Sequence, residues 1–138
     1  MSNLKDIQKS HRIAKATYDF SVVGGAVATI QLPNADIIPN GAIITKVMVD
    51  MKTALTSGGS ATVQITGGGI TIAGATPAAY SSAPFSGTVP AVIGQSTGLT
   101  VTAPYVPQIA TSSAPLVLVI GTAALTAGKF DIYVDYTI

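Results

Sequence analysis

The sequence predicts an all-β domain, an antiparallel sandwich of two sheets, and three observations carry that prediction. Only 9% of the 138 residues are Asp, Glu, Lys or Arg, with no Glu at all, while Val, Ile, Thr and Tyr recur throughout. Strong helix formers are therefore scarce and strand formers plentiful. Second, apolar residues fall on alternate positions in several short runs, the period of a strand with one buried face. Third, Gly-, Pro- and Asn-rich clusters separate those runs at short intervals, as in sheets joined by turns.

The elements follow in order. Met1 to Ala16 differs from the rest, because Lys5, Lys9, Arg12 and Lys15 against Asp6 give it +3 and leave −2 for the remainder of a +1 chain. Leu4, Ile7 and His11 have helix-like spacing, but an isolated helix this short is marginal. This stretch reads as a basic N-terminal arm (residues 1–16) ahead of a β domain (17–138), either docking on a partner or fraying without function. Tyr18, Phe20 and Val22 alternate with Thr17, Asp19 and Ser21 and predict a first strand, with Gly24-Gly25 as a hairpin turn into a second, Ala26 to Leu32. Pro33 to Asp36 and Pro39-Asn40-Gly41 are turn clusters. A third strand runs from Ala42 to Lys52, with Ile43, Val47, Val49 and Met51 inward and Lys46, Asp50 and Lys52 outward. Ser60 to Thr66 is the fourth, and Gly67-Gly68-Gly69 turns it into a fifth, Ile70 to Ala73.

Gly74 to Gly98 then reads as a long loop containing Pro77, Pro84 and Pro90, a length associated with function. Leu99 to Ala103 predicts a further strand and Pro104 to Ser113 a second loop. Ala114 to Gly121, apolar on both faces, and Lys129 to Ile138, with Phe130, Ile132, Val134 and Tyr136 alternating with polar residues, read as a closing hairpin. About eight strands with long connections suit a jelly-roll-like sandwich. If successive strands run antiparallel, Gly24-Gly25, Thr53–Gly59, Gly74–Gly98 and Thr122–Gly128 share one end, and Pro33–Gly41, the triple glycine and Pro104–Ser113 share the other.

The chemistry of catalysis is sparse. Cysteine is absent, so thiolate metal sites and disulfides are unavailable. His11, the one histidine, sits in the arm, away from any fold that could hold it against a nucleophile. Asp131 and Asp135 share a strand face but lie about 13 Å apart by strand rise, too far for a glycosidase pair, and read as solvated charges. Thr66-Gly-Gly-Gly-Ile-Thr-Ile lacks the Gly-Lys-Ser/Thr ending of a phosphate loop. No enzyme and no cofactor is expected. No run reaches a membrane-spanning length, and the mean hydropathy of +0.53 is spread diffusely along the chain. The four cations could bind nucleic acid, but without interleaved aromatics they make a weak footprint for it, and docking on an acidic protein surface explains them equally well. Tyr80, Phe85 and Tyr105 in the loops could form a recognition surface or pack back on the domain. A surface with so few charges resists self-association poorly, which predicts a chain that packs against other subunits.

The C-terminal Ala123-Ala-Leu-Thr-Ala-Gly-Lys-Phe-Asp-Ile-Tyr-Val-Asp-Tyr136 resembles the closing segment of small virion proteins of tailed bacteriophages. Ala16-Thr-Tyr-Asp-Phe-Ser-Val-Val-Gly-Gly-Ala26 and Thr56-Ser-Gly-Gly-Ser-Ala-Thr-Val63 resemble the same kind of protein. The resemblance implies a capsid decoration (cement) or head-fibre base protein, often a homotrimer, that clamps neighbouring subunits of the major capsid protein on the virion exterior after assembly in the host cytoplasm. A receptor- or glycan-binding module of a head or tail fibre, using Tyr80, Phe85 and Tyr105, is the alternative. The arm is not part of the resemblance; Lys5, Lys9, Arg12 and Lys15 are expected to dock it on the capsid.

Overall fold

A computed structural model describes residues 11–79, 96–98 and 108–138, with side chains for 11–72 and 108–138. Two antiparallel sheets face each other. The first carries β1 (Arg12–Asp19), β11 (Leu125–Thr137), β4 (Ile43–Ser57) and β7 (Ser96–Gly98) in that order, with β8 (Gln108–Ile109) also on β4. The second is ordered β2 (Ala28–Gln31), β10 (Val117–Gly121), β5 (Thr62–Gly67) and β6 (Ile70–Ala79). A two-stranded ribbon, β3 (Ile37–Ile38) with β9 (Ala114–Pro115), lies beside them. Leaving aside the short β8 and the β3–β9 ribbon, the chain alternates between the main sheets, except for the β5–β6 hairpin at the triple glycine. This is the jelly-roll order, and eight strands carry it.

Alternation explains the interior. Phe130, Ile132 and Val134 on β11, Val47, Val49 and Met51 on β4, and Ala14, Ala16 and Tyr18 on β1 face inward. Leu118 and Ile120 on β10 and Val63 and Ile65 on β5 meet them from the other sheet. The core holds no buried charged residue among those described. The rings of Tyr18 and Phe130 lie 5.2 Å apart, tilted by 39°, on directly paired residues.

The closing hairpin expected from the sequence does not form. β10 and β11 belong to opposite sheets, and Thr122 to Ala124 carries the chain across the gap. Each strand is already hydrogen-bonded on both sides, β10 by β2 and β5 and β11 by β1 and β4, so neither has an edge left for the other. The Gly24-Gly25 hairpin is replaced as well. Asp19 accepts from the Ser21 amide (2.9 Å) and hydroxyl (2.6 Å) and starts a single helical turn, α1 (Phe20–Val23). Gly24, at φ +74°, closes it. Gly25 then passes so close to β11 that a Cβ would stand 2.3 Å from the Leu125 carbonyl oxygen. The diglycine is a crossing between sheets, which needs the same freedom as a turn.

Several boundaries shift: β4 runs on to Ser57, β6 continues to Ala79 into the expected long loop, which also holds β7, and β11 already begins at Leu125. Residues 12–16 are not arm but most of β1, paired from Arg12↔Tyr136 to Ala16↔Ile132, because Ala14 and Ala16 fill small inward positions against β11. On β4, Ile44 faces inward and Ile43 is 39% exposed, the reverse of strict alternation, because a register irregularity at Asp135/Tyr136 shifts the side chains between Ile44 and Val47. The strand expected over Leu99–Ala103 lies outside the described residues.

The division of the loops between two ends holds where it is described. Leu125 N–H donates to Gly25 O (2.8 Å) and Ser57 Oγ to Ala124 O (2.8 Å) at one end. At the other, Thr111 N–H donates to Gly68 O (2.8 Å) and Gly41 N–H to Ala110 O (2.9 Å).

Tyr18 makes this core sensitive to alkali. Burial, and secondarily the neighbouring Asp19, push its phenol from 10.0 up to about 12. The folded state thus keeps a proton that the unfolded chain loses near pH 10. Its contribution is complete below pH 10 and is lost as pH rises towards 12, a swing of about 2–3 kcal/mol. Tyr18→Phe should flatten the loss of stability between pH 10 and 12, measured by urea unfolding. At pH 7 it should cost about 1 kcal/mol for the lost bond from Tyr18 Oη to Gly24 O (2.9 Å). An unchanged alkaline slope would show that another group is responsible.

Candidate interaction surfaces

The outer faces of the two sheets differ sharply. On the β1–β11–β4 sheet, Lys15, Asp19, Lys46, Asp50, Lys52, Lys129, Asp131 and Asp135 all occupy outward positions, eight of the chain's thirteen formal charges. Six of them are engaged with neighbouring side chains. Lys129 Nζ lies 3.2 Å from Asp19, and the Lys15 ammonium sits 5.4 Å from the centre of the Tyr133 ring. Asp131 accepts from Thr17 Oγ1 (2.6 Å). Asp131 also stands directly across from Asp50, a like-charge pair that costs stability by itself. Lys52 answers it by bonding Asp50, and that bond, ahead of the fields of Asp131 and Tyr133, holds the ammonium above its usual range. The Ser21 bonds and Lys129 likewise hold the Asp19 carboxyl below its usual range.

Asp131 and Asp135 are thus not simply solvated, as their sequence positions suggested. Both are half-buried, and one carboxylate oxygen of Asp135, like one of Asp50, is buried without a hydrogen-bond partner among the described residues.

The opposite sheet presents an outer face with no charge. Thr29 and Gln31 on β2, Val117 and Val119 on β10, Thr62, Gln64 and Thr66 on β5 and Thr71 on β6 make it up. Gln64 donates to Thr71 Oγ1 (3.2 Å), so hydrogen bonds along the face help satisfy its polar groups. The absence of charge between Thr53 and Gly128 is visible in the sequence. That three strands from this stretch, β5, β6 and β10, join β2 to make one uncharged outer face follows only from the strand order.

A third feature lies along β1, an edge strand. Asp36 meets it at a single point, donating its N–H to Lys15 O (3.0 Å) and accepting the Lys15 N–H at Oδ2 (2.8 Å). Beyond that point a cleft of about 500 Å³ opens, bordered by Thr17, Asp19, Val22, Val23, Pro33 and Asp36.

The residues singled out by sequence fare unevenly. Arg12 and Lys15 lie on β1, opposite Tyr136 and Tyr133, and are strand residues. Lys5, Lys9, Tyr80, Phe85 and Tyr105 lie outside the described residues. His11 is exposed just before β1. Among the described residues, no three His, Cys, Asp or Glu side chains gather as metal ligands would. The edge cleft escaped the sequence reading, since only folding brings Asp36 to Lys15.

No protein-family model matches the chain, and no curated protein matches it. The fold is similar to chains in two solved structures. One is the acidic stable capsid structure of Helicobacter pylori bacteriophage KHP30, with a TM-score of 0.53 and 15% identity over 94% of this chain and 88% of that one. The other is the Cyanophage Pam1 capsid asymmetric unit, with a TM-score of 0.51 and 15% identity over 93% of this chain and 84% of that one. At this identity the likeness is one of fold.

Proposed function

We propose that this chain is a non-enzymatic structural protein of a bacteriophage particle, which decorates and stabilises the capsid by oligomerising, as a trimer, and bridging neighbouring capsid subunits. The observation that carries the reading is the division of charge between the two outer faces. Covering a face of Thr, Gln, Val and Gly strips water from no ion, and interface centres are depleted in charged residues for that reason. The ionic face, which carries four cations and four anions, is suited to remain in water. The shared fold with chains from two phage capsids supports a place in a particle. Weak contacts repeated on a symmetric shell sum by avidity, so no single strong site is required.

The test is occupancy of particles. Electron microscopy of the intact virion should find the chain on the capsid exterior, and its absence from particles would end the reading. Val119→Lys, which plants an ammonium at the centre of the uncharged face, should leave the fold intact, because Val119 points away from the core. It should reduce copies per particle about tenfold or more, since an unpaired buried charge costs several kcal/mol. Lys46→Ala on the ionic face should change occupancy little. Equal occupancy by wild type and Val119→Lys would show that the uncharged face is not the one covered.

A further inference from the structure

At the end of the sandwich away from α1, the ionic face turns apolar. Ile13 on β1, Ile43 on β4 and Ile109 on β8 are 58%, 39% and 60% exposed. The register sets them in one stripe. Ile13 stands opposite Asp135 on β11; Thr137, the next outward residue of β11, stands opposite Ile43, and Ile43 opposite Ile109. Directly paired residues share a face, so the stripe crosses four strands, about 14 Å. Ile138, 63% exposed, extends it beyond β11.

The charges beside the stripe are the unengaged ones. Of the eight on this face, Lys46 and Asp135 are the two that contact no neighbouring charged or polar side chain among the described residues. They are register partners, yet form no ion pair with each other. An apolar centre beside charges that their own chain leaves unanswered has the anatomy of an interface.

We propose that further copies of this chain cover the stripe, isoleucine against isoleucine, about the symmetry axis of the oligomer. The inference rests on the oligomeric reading above and assigns its self-contact, leaving the uncharged face for the shell. Charge selects the occupant. Lys46 and Asp135 stand side by side and cancel, so the stripe favours neither an acidic nor a basic surface. A rotated copy offers the same apolar stripe and both signs, and can set Lys46 against the partner's Asp135. Arg12, opposite the inward-facing Tyr136, lies on the other side of β1. The chain's own residues 1–10 fit less well, with Lys5 and Lys9 against a single Asp6. Ordering ten residues on so small a patch also costs more entropy than its burial returns. Four part-exposed isoleucines fall short of the roughly 800 Å² per partner of a standard interface. The contact is therefore weak in solution and is reinforced by repetition on a shell.

The experiment is sedimentation velocity on the full-length chain from about 10 µM to 1 mM, the range of a contact this small. Wild type should self-associate across that range. Ile13→Lys and Ile109→Lys, at the two sides of the stripe, should each weaken association at least about tenfold, since each places a cation in an apolar contact. Val119→Lys, on the other sheet, should change it less than about twofold, and so should removal of residues 1–10. The chain lacks cysteine, so single cysteines report proximity. Under mild oxidation Ile43→Cys should form disulfide-linked dimers at least about tenfold faster than Val22→Cys. Val22 is the more exposed of the two, at 69%, but lies on α1 at the opposite end. A wild type monomeric throughout, lysine variants that associate as wild type does, or faster cross-linking at Val22 would overturn the proposal. Association lost instead in Val119→Lys would move the self-contact to the uncharged face, and lost on removing residues 1–10 would make the arm the occupant. Either result ends this inference and leaves the virion reading standing, because that is decided on particles.

Discussion

Replacing Phe130 with alanine is expected to remove about 3–5 kcal/mol of stability, the largest loss from any single side chain in this fold. Phe130 is fully buried on β11, a central strand, between Tyr18 of β1 and Met51 of β4 on either side. Truncation deletes the ring and leaves a cavity that three strands and the facing sheet must hold open, because close-packed interiors relax only in part. A domain of this size commonly has about 5–15 kcal/mol in total, so the variant should be partly unfolded at modest denaturant. Pairing the change with Tyr18→Ala isolates the ring contact at 5.2 Å, which should couple by about 0.5–1.5 kcal/mol. Ile13→Ala is the contrast, an apolar residue on β1 that is 58% exposed and should cost no more than about 0.5 kcal/mol. Urea titrations followed by near-ultraviolet circular dichroism measure all of these. A loss below about 1 kcal/mol for Phe130→Ala would mean that β11 does not run through the centre of the core.

The face that each residue of β11 presents was legible in the sequence, while the neighbours of the strand were not. Alternation of Phe130, Ile132 and Val134 with Asp131, Tyr133 and Asp135 is a local property and fixes which side chains are covered. Pairing is a property of the whole chain. Ala114–Gly121 and Lys129–Ile138 are close in sequence and look like a hairpin, yet in a two-sheet sandwich a short connection can as easily cross between sheets. The same ambiguity misled at Gly24-Gly25, where glycine meets the needs of a hairpin and of a close crossing alike. The even alternation of loop ends survived both errors, because it depends only on successive strands reversing direction, whichever sheet they join.

The candidate surfaces divide along the same line. Their composition is printed in the sequence as an uncharged middle and charged ends. The face each occupies depends on strand order. β1, β4 and β11, which hold most of the charges, come from the first 57 and the last 14 residues of the chain and meet only in the folded sheet. Asp36 shows the limit most clearly. It sits in a turn cluster that reads as ordinary loop chemistry, and nothing local indicates that it caps the edge of a strand twenty-one residues earlier.

Truncation at the N-terminus should separate arm from fold within six residues. Removing residues 1–10 is expected to leave thermal stability within about 0.5 kcal/mol of wild type, since β1 begins at Arg12. Removing residues 1–16 should abolish folding. It deletes five of the eight residues that pair β1 with β11, and it uncovers the core that Ala14 and Ala16 seal at 1% and 2% exposure. It also frees one edge of β11, a thirteen-residue alternating strand and thus a template for unregulated pairing. The longer truncation should therefore be recovered as aggregate, and far-ultraviolet circular dichroism with light scattering distinguishes the outcomes. A soluble 17–138 chain melting as wild type would make Arg12–Ala16 an appendage after all, and would return Arg12 and Lys15 to the arm. The shorter truncation carries the functional weight. Because it spares β1, any loss of self-association or of particle occupancy belongs to residues 1–10, with Lys5 and Lys9 their only basic side chains.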